Sequence, residues 1–221
     1  MSSTSNFTPS ARTRVVREPH RGVYDRDAIN RILDEGLICH VGFVVDGQPF
    51  VIPTLFGRDG DVLYIHGSVA SRMLRNLEKG VPVSVTVTLL DGLVLARSIF
   101  NHSMNYRSVV ILGTATLVSD QQQKLAALRA VSEHILPHRW DDVRQPSDKE
   151  LKVTSVLRIP LDESSAKIRT GPPIDDEDDY SFPTWAGVIP LEMKTGTPIR
   201  DERCQLEFPD YLQNYSRKKR P

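Results

Sequence analysis

The pattern of hydrophobic and polar residues predicts an amphipathic helix near the start of this chain. Asp25 is placed to cap the helix and Gly36 is placed to end it. The apolar residues between them recur at helical spacing and form one stripe, which consists of Ala28, Ile29, Ile32 and Leu33. We therefore expect a short helix that lies on a hydrophobic core.

A second helical pattern follows Asp120, where the chain reads QQQKLAALRAVSEHI as far as Ile135. Ser119 or Asp120 is placed to cap this helix. Its apolar stripe is expected to contain Leu125, Leu128 and Ile135. The next stretch reads PHRWDDVRQPSDKEL, which predicts a loop that passes into a short helical turn.

Five strand patterns precede the second helix. Two apolar runs, LICHVGFVV and QPFVIPTLFG, are joined at Asp46-Gly47, a dipeptide that favours a tight hairpin. Asp59-Gly60 separates them from DVLYIHG, and the two later strands read VPVSVTVTLLDG and SVVILGTATLVS. After the helix, VTSVLRIPL and SAKIRTG return to the alternating pattern. The predicted fold is mainly β with flanking α-helices, a mostly antiparallel sheet closed into a barrel.

Composition excludes several classes of function. The sequence has 221 residues, with 28 basic and 28 acidic side chains, so no global positive field attracts nucleic acid or a membrane surface. Cys39 and Cys204 show no disulfide or zinc pattern, which favours a reducing compartment. The start of the chain lacks the apolar core of a signal peptide, and no apolar run reaches the ~18 residues of a membrane span. We expect a cytoplasmic protein.

The chain is predicted to form one domain with an arm at each end. Residues 1–20 are polar and carry Arg12, Arg14 and Arg17, so we expect a flexible N-terminal arm until something holds it. Residues 21–172 carry the barrel pattern. Residues 173–221 are rich in turn residues and predict a wrapping arm, which ends in a solvated basic tail at 217–221.

One candidate binding site lies at a predicted strand-to-helix turn, in the sequence LYIHGSVASRMLRNL. Ser71 is placed to cap the helix, and Arg72 and Arg75 follow at helical spacing, so that one of them could bind a phosphate with two hydrogen bonds. His66 lies inside the turn, where it could donate to a phosphate or a ring carbonyl. Alternatively, the turn is only a capped helix start with two solvated arginines.

A second polar cluster reads NHSMNYRS and lies in a predicted loop between two strands, from Asn101 to Ser108. Arg107 is expected at the edge of the following strand, at the same end of the barrel as the first site. The two clusters together would form an anion-binding rim. The alternative is an exposed hairpin loop. Lys167 and Arg169 alternate with apolar neighbours and share one face of their strand, which faces either solvent or a ligand cavity.

Familiar catalytic motifs are absent. The six histidines show no HExxH or His-x-His spacing, so we expect no metal site. The sequence contains neither the dinucleotide-binding nor the P-loop glycine pattern, and no Ser/His/Asp arrangement indicates a hydrolase. Trp185 is an unusual residue for an arm and either packs on a flat ligand or anchors the arm to the core.

The ordered set of these motifs resembles the flavin-binding split-barrel family of pyridoxamine 5'-phosphate oxidases. The set comprises IHGSVASR, a barrel strand ending in DG, NYRSVVILGTA, a helix, SAKIRTGPP and WAGVIPL. It is most similar to the flavin-nucleotide-binding or nitroimidazole-resistance subgroup. The resemblance implies a split β-barrel, a homodimer with FMN at its interface, and a small-molecule substrate. FAD is the alternative flavin.

The resemblance also assigns residues to the cofactor. The stretch Val51, Ile52, Pro53 and Thr54 would run along the flavin ring, Ile65 and His66 would end the neighbouring strand, and Gly67 and Ser68 would form the turn. Ser71 and Arg72 would clamp the phosphate. The second wall would contain Asn105, Tyr106, Arg107 and Ser108, and Trp185 would approach from the arm of the same or the other subunit.

Three departures from the family pattern argue against oxidation of vitamin B6. Met73 and Thr54 replace two lysines of the true oxidases, and WAGVIPL lacks the arginines that bind the substrate phosphate. The leading hypothesis is an FMN-dependent oxidoreductase in which the flavin carries the redox chemistry. His66 and His102 are the acid–base candidates. The alternatives are a flavin- or haem-binding carrier or sensor without catalysis, and a dimerisation domain with an empty cleft.

Overall fold

The computed structural model describes residues 6–213 and 215. Within this range the strands are β1 (Gly22–Val23), β2 (Ile38–Val45), β3 (Gln48–Leu55), β4 (Gly57–Asp59), β5 (Val62–Ser68), β6 (Pro82–Leu95), β7 (Ser103–Thr114), β8 (Thr116–Leu117), β9 (Thr154–Pro160), β10 (Glu163–Arg169) and β11 (Gly187–Pro190). The α-helices are α1 (Arg26–Glu35), α2 (Arg72–Leu77), α3 (Gln121–Ile135), α4 (Asp148–Val153) and α5 (Asp210–Gln213). The predicted basic tail at 217–221 lies outside the described residues.

These elements belong to two compact units that share the chain. Unit 1 contains residues 1–36, 85–112 and 162–193, and unit 2 contains residues 37–84, 113–161 and 194–221.

The sheet of unit 1 is antiparallel wherever the strand register is defined. Its strands follow the order β1–β10–β7–β6, and β11 also pairs with β6. Strand β11 lies in the segment that the sequence predicts as an irregular arm. Its four residues pair with β6 between Gly92 and Leu95, so this part of the arm is held by sheet hydrogen bonds.

Helix α1 of unit 1 confirms the first helical prediction. The Asp25 carboxylate accepts a hydrogen bond from the Ala28 backbone N–H at 2.8 Å, and Gly36 ends the helix. Ile29, Ile32 and Leu33 are buried, as the apolar stripe predicts. A Cβ atom on Gly36 would lie 2.5 Å from Val87 Cγ1, so the end of α1 approaches β6 too closely for a larger residue.

The N-terminal segment is held in unit 1 by specific contacts from residue 6 onward. Phe7 and Thr13 are buried, and the Phe7 N–H donates to the Tyr24 carbonyl oxygen at 2.9 Å. The Val15 N–H donates to the Tyr24 hydroxyl at 2.8 Å, and the Arg26 guanidinium lies 4.1 Å from the centre of the Phe7 ring. These contacts hold the N-terminal segment in place although its sequence is mostly polar.

The hairpin β2–β3 of unit 2 confirms the Asp46-Gly47 prediction. Both turn residues have positive φ, 50° and 76°, the conformation that makes this dipeptide favourable in two-residue hairpin loops. Alternate residues bury Cys39, Val41 and Phe43 on one face.

The other face of this hairpin is exposed and mostly apolar, and it also carries His40 beside Pro53. Paired positions on this face bring Ile38 beside Leu55, Gly42 beside Val51 and Val44 beside Pro49. Val51 is the most exposed of them, at 65%.

The second sheet of unit 2 has the order β4–β5–β9–β8, again antiparallel, and α3 packs against it. Asp120 caps α3 through a 2.8 Å hydrogen bond from the Gln123 N–H. The predicted stripe of α3 is only partly right, because the buried residues are Ala127, Val131 and His134.

The reason for the different stripe is the close approach of α3 to Gly57 on β4. A Cβ atom on Gly57 would lie 2.5 Å from Val131 Cα, so the backbones touch and the small or flat side chains around this point face the sheet. The His134 ring packs at 4.6 Å from the Phe56 ring, measured between centroids. Leu128 packs beside this contact, against Val118 and Val156.

Candidate functional site

The turn between β5 and α2 in unit 2 has a defined backbone conformation. The Ser71 N–H donates to the Ser68 carbonyl oxygen at 2.8 Å, and the Ala70 N–H donates to Ser68 Oγ at 3.1 Å. Ser71 caps α2 as predicted, with its Oγ accepting from the Leu74 N–H at 3.5 Å. Helix α2 has only six residues, so any affinity for an anion must come from side chains rather than from a long helix dipole.

The structure separates the roles of the two arginines in this turn. Arg75 Nε donates to the Val69 carbonyl oxygen at 2.8 Å, so this guanidinium holds the turn together. The Arg72 guanidinium instead lies 4.7 Å above the centre of the Phe50 ring. Within the described residues its N–H groups have no hydrogen-bond acceptor. Arg72 is therefore the arginine that can bind an external anion.

His66 lies next to this turn with one ring nitrogen enclosed. Its Nδ1 atom is buried and has no hydrogen-bond partner among the described residues. Burial lowers the pKa of the imidazole, so the ring is neutral at pH 7. A neutral imidazole is the form that binds a metal ion or accepts a hydrogen bond.

Strand β3 lies beside the turn, because the Phe50 ring contacts Arg72. Along the predicted ring-lining stretch, Val51 and Pro53 are exposed, while Ile52 and Thr54 are half-buried. On β5, Gly67 is half-buried, Ser68 is exposed and Ile65 is fully buried. The Ile65 side chain therefore belongs to the core, and only its backbone could serve a site. The structure thus brings the β3 residues and the turn together within one unit.

Ser155 and Glu78 support the turn and escaped the sequence prediction. Ser155 pairs with Gly67 across β9 and β5, and its buried Oγ donates to Glu78 Oε1 at 2.5 Å. Glu78 stands at the end of α2. The bond joins residues 77 positions apart, so no local pattern indicates it. The only hint in the sequence is that Ser155 is a polar residue within the apolar run VTSVLRIPL, where a buried hydroxyl needs a hydrogen-bond partner.

Arg107 lies on β7 of unit 1 and is paired with two carboxylates. Its Nε and Nη2 donate to Asp91 at 2.9 and 2.7 Å, and its Nη1 and Nη2 donate to Glu35 at 2.5 and 3.0 Å. These hydrogen bonds raise the pKa of Arg107. The two carboxylates offset the positive charge of Arg107. The predicted flavin contact of Arg107 stays a prediction, and the contacts give it a structural role in unit 1.

The other members of this cluster are also on strand β7. The sequence NHSMNYRS was predicted as a loop. This is wrong from Ser103 onward, because β7 begins there and pairs with β10 from Tyr106. Polar residues occupy a strand here because partners within the unit satisfy them. Buried Asn105 donates to the Gly171 carbonyl oxygen at 3.0 Å and accepts from Arg169 Nη1 at 2.5 Å. The Ser108 hydroxyl donates to the Lys167 carbonyl oxygen at 3.3 Å, and Tyr106 is half-buried.

Trp185 is 65% exposed, so it does not anchor the arm in the core of unit 1. Its ring lies over Gly187, where a Cβ atom would come within 2.8 Å of Trp185 Cζ2. The arm is anchored instead by Asp175, whose buried carboxylate accepts from the Arg97 N–H at 2.8 Å and from Arg97 Nη1 at 3.0 Å. Burial alone would raise the pKa of Asp175, but the hydrogen bonds from Arg97 and Ser98 lower it.

The described residues offer neither a reactive thiol in the core nor a cluster of metal-binding side chains. Burial raises the pKa of the Cys39 thiol to about 12, so it is not a nucleophile near neutral pH. In residues 6–213 and 215, no group of three His, Cys, Asp or Glu side chains is arranged to hold a metal ion. None of the helices in that range is long and apolar enough to cross a membrane.

Comparison with protein families gives a match to the pyridoxamine 5'-phosphate oxidase model over residues 25–168. This covers more than half of the chain. The protein belongs to the pyridoxamine 5'-phosphate oxidase family. The resemblance inferred from the ordered motifs is therefore confirmed, and so is the mainly antiparallel β fold with flanking helices.

Solved structures of similar sequence extend the comparison. The flavocytochrome Anf3 from Azotobacter vinelandii is 42% identical, with a TM-score of 0.89, and the match covers 94% of this chain and 98% of Anf3. The FAD and haem binding protein from Mycobacterium smegmatis is 36% identical, with a TM-score of 0.84 and coverage of 87% and 96%. A protein from Bacteroides thetaiotaomicron that is associated with 5-nitroimidazole antibiotic resistance is 26% identical, with a TM-score of 0.55 and coverage of 66% and 86%. A search of curated proteins gave no match.

Proposed function

We propose that this protein is a redox protein that binds a flavin at the β5–α2 turn. The observation that carries the proposal is the Arg72 guanidinium, which lies on the Phe50 ring with its N–H groups free beside the turn. Two N–H groups of arginine match two oxygens of a phosphate. Exposed Ser68 and half-buried Ser71 add hydroxyl groups. When bound, the flavin would supply reversible electron transfer to a small organic molecule or to a second redox group.

The form of the flavin follows from the relatives rather than from the turn itself. The family resemblance implies FMN, whereas the Mycobacterium smegmatis relative is described as an FAD and haem binding protein. A phosphate clamp at Arg72 serves either nucleotide. At 36% identity over nearly the whole of that relative, FAD is the form that we propose, with FMN as the alternative.

Haem binding is the second candidate function, and His66 supports it. Both near-full-length relatives carry haem or cytochrome in their descriptions. Haem iron needs a neutral imidazole, and burial lowers the pKa of the half-buried His66 ring, which favours the neutral form at pH 7. We therefore propose His66 as the iron ligand.

The experiment is to purify the full chain, record its visible spectrum, and identify the released cofactors by mass spectrometry. We expect flavin absorption bands, an FAD mass and a haem Soret band. Protein that is colourless and stays so after incubation with FMN, FAD and haemin would overturn both proposals. An FMN mass would replace FAD, and flavin without haem uptake would remove the second candidate function alone.

His66→Ala tests the ligand in the same assay. We expect loss or displacement of the Soret band with the flavin bands retained, because His66 would no longer supply a nitrogen to the iron while Arg72 stays in place. His138→Ala is the matched control, since His138 is an exposed histidine of the same unit that lies outside the turn and outside the β2–β3 hairpin. An unchanged Soret band in His66→Ala, or equal changes in both variants, would contradict the assignment.

We also propose that the protein is a homodimer, with the exposed apolar face of the β2–β3 hairpin in the interface. Ile38, Val44, Val51 and Leu55 are exposed apolar side chains on one face that also carries His40, and a symmetric dimer buries the same surface twice. Light scattering should give twice the mass of one chain. Val51→Glu should shift this mass towards the monomer, whereas a monomeric wild type would refute the proposal.

A further inference from the structure

Segment 12–21 of unit 1 lies along strand β10. In the sequence, this segment is far from the residues of the proposed flavin clamp. Arg12 forms an ion pair with Glu163, and Lys167 Nζ donates to the Arg17 carbonyl oxygen at 3.1 Å. Strand β1, which follows the segment, pairs with β10. These three contacts fix the segment against β10, and we call segment 12–21 and β10 together the basic strip.

Positive charge exceeds negative charge in the basic strip. Histidine aside, its charged side chains are Arg12, Arg14, Arg17, Glu18, Arg21, Glu163, Lys167 and Arg169. The Arg12–Glu163 pair is neutral, and Glu18 lies 3.5 Å from Arg21. The remaining cations have no carboxylate partner within the described residues. Because the whole chain carries 28 charges of each sign, the strip is a local excess rather than part of a basic protein.

Arg169 adds to the excess of positive charge in the basic strip, although its side chain is buried. Its guanidinium donates to uncharged acceptors, which are Asn105 Oδ1 and the carbonyl oxygens of Gly171 and Pro172. A buried guanidinium stays protonated and is screened little by solvent. Its charge therefore adds to the positive potential above β10. The pKa of Arg169 is lowered first by burial and then by the like charge of nearby Arg21.

The exposed part of the basic strip has the composition of a protein-docking surface. Arg14 and Arg17 are exposed, and neither has a hydrogen-bond or ion-pair partner among the described residues. Val16, between them, is 80% exposed. Long cationic side chains around an apolar residue suit a protein partner whose carboxylates surround a small apolar spot.

We propose that the basic strip docks a small acidic electron-transfer protein that delivers electrons to the flavin, an inference that rests on the redox function proposed above. Such encounters are weak, small in area and steered by charge. Each encounter oxidises the partner by one electron. Two encounters, with two protons from solvent, fully reduce the flavin.

The test measures the binding of a fluorescently labelled acidic ferredoxin to the full chain by anisotropy. We expect binding that weakens as salt rises, and a dissociation constant at least about tenfold higher for Arg14→Glu/Arg17→Glu. The control, Lys149→Glu/Lys194→Glu, changes the net charge equally at exposed lysines of unit 2 and should stay within about twofold. No binding by the wild type, or equal binding by both double variants, overturns the proposal.

Two further readouts separate this inference from the flavin proposal and from other partners. Anisotropy reports docking whether or not the chain holds a flavin, so a colourless protein that still binds ferredoxin refutes the redox function and not the docking surface. Stopped-flow reduction of flavin by reduced ferredoxin should slow in Arg14→Glu/Arg17→Glu, while photochemical reduction should not. Duplex DNA that binds as tightly and with the same dependence on Arg14 and Arg17 would assign the strip to nucleic acid and overturn the proposal.

Discussion

Replacing Arg72 with alanine is expected to weaken flavin binding by roughly 10- to 100-fold, because hydrogen bonds to charged groups contribute about 1.5–3 kcal/mol. The Arg72 guanidinium already lies on the Phe50 ring, so part of its conformational entropy is lost before any ligand binds. Fluorescence titration of apoprotein with FAD and with FMN measures the change. Arg72→Lys should recover only part of the affinity, since an ammonium group cannot reproduce the two parallel N–H donors.

Lys79→Ala is the control for that titration, because Lys79 is an exposed cation two residues beyond the end of α2. Its removal changes the net charge equally and should leave the affinity within about twofold. If both variants bind flavin as the wild type does, the turn does not hold the phosphate. If Lys79→Ala weakens binding as much as Arg72→Ala, the effect is general electrostatics and the clamp at Arg72 is refuted.

Gly57→Ala is expected to lower the free energy of unfolding by about 3 kcal/mol, at the upper end of the usual cost of overpacking. The new Cβ atom would lie 2.5 Å from Val131 Cα, 2.7 Å from Val131 N and 2.9 Å from the Ala130 carbonyl carbon. All three are backbone atoms, so no side chain can rotate away and α3 must shift. For a chain of this length, the melting temperature should fall by roughly 6–12 °C, measurable by calorimetry.

Gly113→Ala is the matched control for the packing argument. Gly113 lies in strand β7, its Cβ position has no atom within 4 Å, and its backbone does not require glycine. Alanine there should leave the stability unchanged within about 0.5 kcal/mol or raise it slightly, by restricting the unfolded chain. If the Gly57→Ala and Gly113→Ala proteins have the same melting temperature, α3 and β4 are not in the contact described.

Local patterns predicted most of the secondary structure. Asp25 and Gly36 bound α1, Asp46-Gly47 forms the hairpin, and Ser71 caps α2, because each of these signals acts over a few residues. The prediction failed where distant partners decide. Strand β11 exists because β6 offers it an edge, and β7 includes Tyr106, Arg107 and Ser108 because β10 pairs with them.

In the candidate site, too, local sequence predicted some features and distant partners decided others. The sequence identified the β5–α2 turn and offered Arg72 and Arg75 as equivalent phosphate ligands, since both follow the cap at helical spacing. Their roles differ because Val69 accepts from one and Phe50 stacks with the other. Ser155, which supports Glu78 from across the sheet, could not be found from a pattern at all.

The sequence by itself determined the family, the helix caps, the hairpin turn and the position of the polar turn after β5, all of which depend on local conformational preference or on motif order. Only the tertiary structure decided which charges are available. Arg107 looks like an anion ligand in the sequence, but Asp91 and Glu35, 16 and 72 residues away, neutralise it. Charge pairing depends on distance in space, so a local pattern can place an arginine but cannot show whether its charge is free.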